Sequence, residues 1–327
     1  MHTTHHPTPP IVLPWGAPQR ELLVVSSPRA EGRPELTEAV EHAARRGHRV
    51  TRLTLSHPEA GAQLAARLRR GDLDAVIAAG GDGTLNVVAN ALATADAPPV
   101  ALGILPLGTA NDFATGLGLT ALNPCRLIDL ILEGDPTPID LGRVNGRLFV
   151  NFASGALGAE ITTETPQRLK RVMGGAAYLA TGFAVSLSKR PRPVRLRAPG
   201  FSWEGRALYI GVGNARLAGG GFEVSRGAML DDGLLDLTVL PELGSWAEVR
   251  AMVGQLVREH ALPRGFSIAR QVPWLEIEAP EGLQVNTDGE PMFAERYRFE
   301  LFERQVPLYM PAAARASLTQ QRVEVAA

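Results

Sequence analysis

The chain has 327 residues, enough for two ordinary domains, and its 45% hydrophobic and 20% charged content is that of a packed globular protein rather than a disordered or fibrous one. A formal net charge of -1 carries no basic excess, which argues against broad nucleic-acid binding. The single cysteine, Cys125, excludes an intramolecular disulfide or a thiolate metal cluster, agrees with a reducing compartment, and reads as a small buried hydrophobe.

Residues 1–10 hold His2, His5 and His6 among threonines and prolines, without the apolar core of a signal peptide. Nothing there would orient the histidines around a metal, so residues 1–20 read as a disordered leader. From Glu21 onward, apolar runs alternate with amphipathic stretches. Strands are expected at 22–25, 49–55, 73–79 and 100–105, and helices at 35–46, 60–70, 85–95 and 111–117. That alternation implies a parallel sheet covered on both faces. After Pro136 the texture changes to short strands (148–152, 194–198, 207–212, 234–240) with Gly and Pro turns, interrupted by a candidate helical hairpin at 245–259. The most lipid-like stretch, residues 178–187, is about half the roughly 20 residues a spanning helix needs, so no membrane crossing is expected.

The chemistry concentrates in two turns of the first domain. Gly80-Gly81-Asp82-Gly83-Thr84-Leu85-Asn86 follows a buried strand and opens a helix, so flexible backbone and free helix N–H groups meet where an anion can sit. A polyphosphate suits that place, and Asp82 within the loop suggests a Mg²⁺ ion. A second turn, spanning 105–114 and carrying Gly108, Thr109, Asn111 and Asp112, also follows a strand, and both loops should face one cleft. Thr109 offers a hydroxyl to phosphate, whereas Asn111 and Asp112 have an alternative as helix caps. Lys170 and Lys189 are the chain's only lysines, and neither a Walker loop nor a dinucleotide-binding glycine fingerprint occurs. Phosphate charge would therefore be met by backbone, hydroxyls, metal and arginine.

Together, the loop 80–86 and the segment 105–114 resemble the nucleotide site of the diacylglycerol-kinase catalytic family. Segments 149–155, 161–166, 213–221, 229–235 and 286–291 resemble the bacterial YegS-like lipid kinases within it. The resemblance implies a doubly wound α/β nucleotide-binding domain (21–136), a β-sandwich domain (137–305), and a C-terminal segment (306–327) returning to the first domain. It also implies an ATP- and Mg²⁺-dependent phosphotransferase acting on a hydroxyl of diacylglycerol, phosphatidylglycerol or a related lipid, and a cytoplasmic protein in peripheral contact with the inner face of the membrane. Carried over by residue, Thr54, Thr109 and Gly80, Gly81, Asp82, Gly83, Thr84, Leu85 and Asn86 contact the nucleotide. Glu290, in Asn286-Thr287-Asp288-Gly289-Glu290-Pro291, accepts the proton, and Met229, Asp232 and Leu234 hold Mg²⁺. Ser26 departs from the asparagine usual at the end of the first strand.

Other readings stay open on the residues alone. Asp231-Asp232-Gly233 also reads as a tight hairpin turn, Gly219 to Gly221 as a flexible loop, and the arginine-rich run 189–197 as a solvated edge strand rather than a lipid-headgroup patch. Two rival functions compete. A soluble-substrate kinase of the NAD-kinase type shares the Gly-Gly-Asp-Gly-Thr loop but not the segments 105–113 and 288–291. A non-catalytic nucleotide- or lipid-binding protein would have no need of Glu290 as a base.

Overall fold

The computed structural model describes residues 18–57, 59–156, 191–259, 261 and 265–316. The leader 1–10, the segment 161–166, the apolar stretch 178–187 and both lysines fall outside them. Four strands, β1 (Glu21–Ser26), β2 (Arg49–Thr54), β3 (Ala75–Gly80) and β4 (Ala101–Pro106), run parallel in the order β2-β1-β3-β4. The order reverses between β1 and β3, and that switch opens a crevice at the carboxyl ends of the strands. β3 is buried along its whole length, which is why its sequence is an unbroken run of apolar residues, whereas the edge strand β2 buries none of its residues.

The helices follow from apolar spacing and end signals. α1 (Pro34–Arg45) starts on a proline, which suits the first turn, and buries Leu36, Ala39 and Ala43 on one face. α2 (Ala60–Leu68), α3 (Asp82–Thr94) and the short α4 (Asp112–Gly116) occupy three of the expected positions. α5 (Pro124–Glu133) was not expected from the sequence. Asn123 Oδ1 caps it by accepting from Arg126 N at 2.9 Å, and Leu127, Ile128, Ile131 and Leu132 are buried. Cys125, at its start, is only partly covered, and its thiol donates to Glu38, so the expectation of a buried hydrophobe is corrected.

Beyond α5 the chain forms β5 (Thr137–Val144), β6 (Arg147–Phe149), β7 (Phe152–Ala156), β8 (Arg192–Ala198) and β9 (Phe201–Gly213). The short β10 (Leu217–Ala218) and β11 (Phe222–Glu223) precede β12 (Leu235–Pro241), β13 (Ile268–Val272), β14 (Trp274–Thr287) and β15 (Glu290–Leu308). β15 joins the two halves. It is antiparallel to β14 and β5, and at Leu308 it pairs in parallel with Leu102 of β4. Val306, Leu308, Tyr309 and Met310 are buried in the same apolar cluster as β1 and β3, and Arg20 bonds the Tyr309 hydroxyl at 2.9 Å. The second half has its own core, including Phe149, Leu196, Val212, Leu237, Ile277, Tyr297 and Phe299.

Several expectations change here. The strand read over 148–152 is two strands broken at Val150 and Asn151, because the amides of Val150, Asn151 and Phe152 bond the Asp288 carboxylate. The hairpin expected at 245–259 is one helix, α6 (Trp246–Glu259), which packs Met252 and Leu256 against Tyr209 and Leu240. β8 is not an edge strand, since it pairs with both β9 and β14. Two of its arginines are answered by glutamates, Arg195 by Glu204 at 3.0 Å and Arg192 by Glu281 at 3.6 Å.

Candidate active site

Two glycine turns meet at the carboxyl ends of β3 and β4. Leu107 N donates to Gly80 O at 2.8 Å, bringing the second turn against the first. Gly81 and Gly108 then pack backbone to backbone. A Cβ on Gly81 would lie 3.1 Å from Gly108 Cα, and one on Gly108 would lie 2.6 Å from Asn111 Oδ1 and 3.0 Å from Gly81 N. These two glycines serve the approach of one loop to the other. Gly83 differs, because a Cβ there would meet nothing within 4 Å. It lies in the first turn of α3, where Gly81, at the capping position just before the helix, provides no side-chain cap. The first N–H groups of that helix have no partner within it, the arrangement that suits an anion.

The remaining residues of this loop divide between seat and support. Leu85 is core, Thr84 is buried beneath Gly80, and Asn86 is buried with its Oδ1 accepting from Asn90 at 2.7 Å. Thr109 is exposed at the tip of the second turn. Asn111, in the left-handed region at φ 52°, does not cap α4 through its side chain but closes its own turn on Gly108 N and O at 2.9 and 3.1 Å.

Three carboxylates, each seated on backbone amides, gather around these turns. Asp82 accepts from Asp112 N at 3.3 Å and Phe113 N at 3.2 Å, tying the first loop to the start of α4. Asp112 does not cap its own helix. It reaches across to accept from Gly220 N at 2.9 Å and Gly221 N at 2.6 Å. Gly219, Gly220 and Gly221 all have positive φ, so this triplet bends its amides onto a carboxylate of the first domain rather than forming a featureless loop. Asp288 accepts from Val150 N at 2.6 Å and Phe152 N at 2.9 Å. Burial raises the Asp112 carboxyl above its ordinary range against the pull of the glycine amides, with Asp82 adding repulsion. Burial pushes Asp288 up to about 6, again with Asp82 contributing, although three amides favour its ionised form.

Thr54 ends β2 and donates to Glu31 Oε1 at 2.9 Å. Ser26, fully buried, donates to the same oxygen, and Arg52 holds the other at 2.5 Å. The Ser26 hydroxyl is the main cause of a lowered Glu31 carboxyl pKa. The serine that departs from the resemblance thus has a defined partner, and Thr54 is brought to the carboxyl edge of the sheet beside it.

Met229, Asp232 and Leu234 lie in a bend ahead of β12. Asp231-Asp232-Gly233 joins no hydrogen-bonded pair of strands, so it is not the hairpin turn that the residues alone allowed. Asp232 Oδ1 accepts from Leu234 N at 3.0 Å, while its buried Oδ2 has no hydrogen-bond partner. Burial pushes Asp232 up to about 6, with Asp140 and Asp231 adding repulsion. Asp140 was not singled out in the sequence, although an acid inside the apolar strand 137–144 is a visible signal. Almost wholly buried, it accepts from Gly233 N at 3.0 Å and so fixes the bend. An orphaned carboxylate oxygen among further carboxylates is an environment that a hard cation fits. Among the described residues no group of three His, Cys, Asp or Glu side chains could hold a metal, so a cation here would need backbone oxygens beside Asp232.

Glu290 begins β15 immediately after a two-residue turn whose central residues, Asp288 and Gly289, have φ of 48° and 98°. Positive φ at both is the geometry that an Asp-Gly pair favours in a tight hairpin. Its side chain is 63% exposed and lies 3.6 Å from Arg147. The carboxylate thus projects from the turn that Asp288 anchors and is open to solvent.

Comparison with known proteins agrees with this construction. Residues 22–144 match the family model described as the diacylglycerol kinase catalytic domain, and residues 154–309 match the YegS C-terminal NAD kinase beta sandwich-like domain. A Pseudomonas aeruginosa protein named a probable lipid kinase YegS-like is 40% identical over 290 residues, covering 84% of this chain and 94% of its own length. A Stenotrophomonas maltophilia protein of the same name is 40% identical over 295 residues, covering 87% and 94%. A solved structure from Bacillus anthracis superimposes with a TM-score of 0.74 at 24% identity, covering 90% of this chain and 98% of that one. A second from that organism, described as a diacylglycerol kinase, gives 0.65 at 21% identity with the same coverage, and likeness at this level concerns the fold alone. With both domains matched and relatives aligned over nearly their whole length, the chain belongs to the YegS-like lipid kinases of the diacylglycerol-kinase catalytic family.

Proposed function

We propose that this lipid kinase transfers the γ-phosphoryl group of ATP, in the presence of Mg²⁺, to a hydroxyl of a membrane lipid such as diacylglycerol or phosphatidylglycerol. The observation that carries this reading is the uncapped N-terminus of α3 at Gly83, held open between two interlocked glycine loops. In this reading the helix amides and Thr109 receive the triphosphate, while Thr54 contributes at the neighbouring strand end. Asp82, Asp112 and Asp288 hold the loops and the Glu290 turn in register. The lipid hydroxyl attacks the γ-phosphorus, the bond from phosphorus to the β,γ-bridging oxygen breaks, ADP leaves, and the hydroxyl proton passes to the Glu290 carboxylate. An alcohol is far too weak an acid to lose its proton beforehand, so a positioned carboxylate contributes about 10² to 10⁴ in rate. Most of the remaining acceleration comes from positioning and charge neutralisation.

Asp232, with backbone oxygens of Met229 and Leu234, would hold Mg²⁺ in the second domain, where the ion would supply positive charge beside the Asp232 oxygen that lacks a hydrogen-bond partner. No helix among the described residues is long and apolar enough to cross a membrane, so in this reading the lipid is met by peripheral contact at the inner face. The test is incubation with γ-labelled ATP, Mg²⁺ and a total lipid extract, with NAD as a competing acceptor. Label in the organic phase supports the proposal. Label recovered on NAD, or no ATP-dependent transfer, contradicts it.

A further inference from the structure

We infer that Arg33 is a further phosphate-contacting residue, supplying the fixed positive charge that this cleft needs for a nucleotide triphosphate. The inference rests on the ATP reading above and adds to it a residue that neither the glycine loops nor the resemblance supplies. Arg33 closes the loop after β1 and stands immediately before α1, at the same edge of the sheet as both glycine turns. Its Nη1 donates to Leu107 O at 2.9 Å. Leu107 is the residue whose N–H joins the two turns through Gly80 O, and it directly precedes Gly108. The guanidinium therefore lies on the residue that locks the loops together, at the peptide next to the locking one.

Free donors and the local charge turn that placement into a role. A guanidinium carries five N–H donors, and the contacts to Leu107 O and to the Glu35 carboxylate, at 3.3 Å from Nε and 2.6 Å from Nη2, engage three of them. One N–H on each terminal nitrogen remains, and the side chain is 40% exposed, so phosphate oxygens can be met without breaking the existing bonds. The loops carry Asp82 and gather Asp112 and Asp288, and a polyphosphate brought among three carboxylates is repelled unless cations stand nearby. Among the described residues, which include no lysine, Arg33 is hydrogen-bonded to the loop junction itself.

The experiment compares Arg33→Ala, Arg33→Lys and Glu35→Gln, measuring ATP-dependent transfer together with ATP, ADP and adenosine binding by titration calorimetry. Losing charge-assisted bonds to phosphate should weaken ATP binding and raise its KM by about tenfold or more in Arg33→Ala. Its kcat should change far less and adenosine affinity should be unaffected, with partial recovery in Arg33→Lys. Glu35→Gln removes the surface ion pair but keeps the cation, so ATP affinity should hold or tighten. Unchanged ATP affinity in Arg33→Ala overturns the inference. Equal losses for ATP and adenosine, reproduced by Glu35→Gln, also overturn it, because they identify a purely structural clamp. Wild-type protein that binds ATP but transfers nothing contradicts the kinase reading while leaving the Arg33 comparison decisive. Wild-type protein that binds no ATP overturns both.

Discussion

Alanine substitutions at Gly83 and Gly108 should separate two roles that glycine plays within one site. At Gly108 a methyl group would sit 2.6 Å from Asn111 Oδ1 and 3.0 Å from Gly81 N, against the 3.5 to 4.0 Å of ordinary carbon contacts. Backbone cannot swing aside as a side-chain tip does, so the turns must part by roughly 1 Å, and overpacking of this kind costs about 1–3 kcal/mol. A displacement of that size at a reacting centre also costs about 10²-fold in rate. At Gly83 the methyl would meet nothing within 4 Å, and Gly83 lies inside α3, where alanine is favoured over glycine by about 0.5–1 kcal/mol. Gly83→Ala should therefore match or exceed wild-type stability while losing phosphoryl transfer, because the methyl would cover the amides proposed to seat the phosphates. Denaturant titration and labelled-ATP transfer, run side by side, read both quantities. Full activity in Gly83→Ala refutes the α3 seat, and wild-type stability in Gly108→Ala refutes the contact between the loops.

Asp112→Ala should loosen the two domains, since it removes the carboxylate oxygens that accept from Gly220 N and Gly221 N. Faster proteolysis, with a loss of about 1–3 kcal/mol, is expected, and unchanged protection counts against the latch. For Asp288 the folded carboxyl titrates near 6 instead of 3.8, so folding favours the protonated form. Its stabilising contribution is present below about pH 4, is lost as pH rises toward 6, and amounts to at most about 3 kcal/mol. Asp288→Asn, which also tolerates the φ of 48°, should flatten the stability profile across that window, and an unchanged slope contradicts the assignment. Asp232→Asn should abolish thermal stabilisation by added Mg²⁺, yet be no less stable than wild type without it, because an unpaired buried charge is removed. Equal Mg²⁺ response in both proteins refutes the cation site.

The first domain was legible in the sequence because its signals are local. An unbroken apolar run marks β3, helical spacing marks α1 and α3, and glycines at 80 and 81 end the strand and open the loop. The missed helix α5 carried equally local signals, an Asn-Pro start and apolar residues at 127, 128, 131 and 132, behind a run of turn formers. The roles of the aspartates were not legible. Asp112 finds its donors 108 residues away in a glycine triplet, and Asp288 finds Val150 at a separation of 138, so neither partner can be read from neighbouring residues. The same distant contact explains the error at 148–152, where an apolar run looked like one strand until Asp288 took its amides. Asp82 shows how a residue can carry more than its type suggests. Read for metal, it accepts two amides of α4, and that tie alone gives its loop a fixed shape.

In the proposed mechanism this cleft moves phosphate from ATP to a lipid hydroxyl while Glu290 takes the proton. Glu290→Gln, at an exposed position with Arg147 3.6 Å away, keeps the shape of the side chain but cannot accept a proton at neutral pH. On the lipid that wild-type protein labels fastest, the variant should lose about 10² to 10⁴ in kcat, with nearly unchanged KM for ATP. Turnover within a few-fold of wild type contradicts the assignment of Glu290 and, with it, the proposed route of the proton.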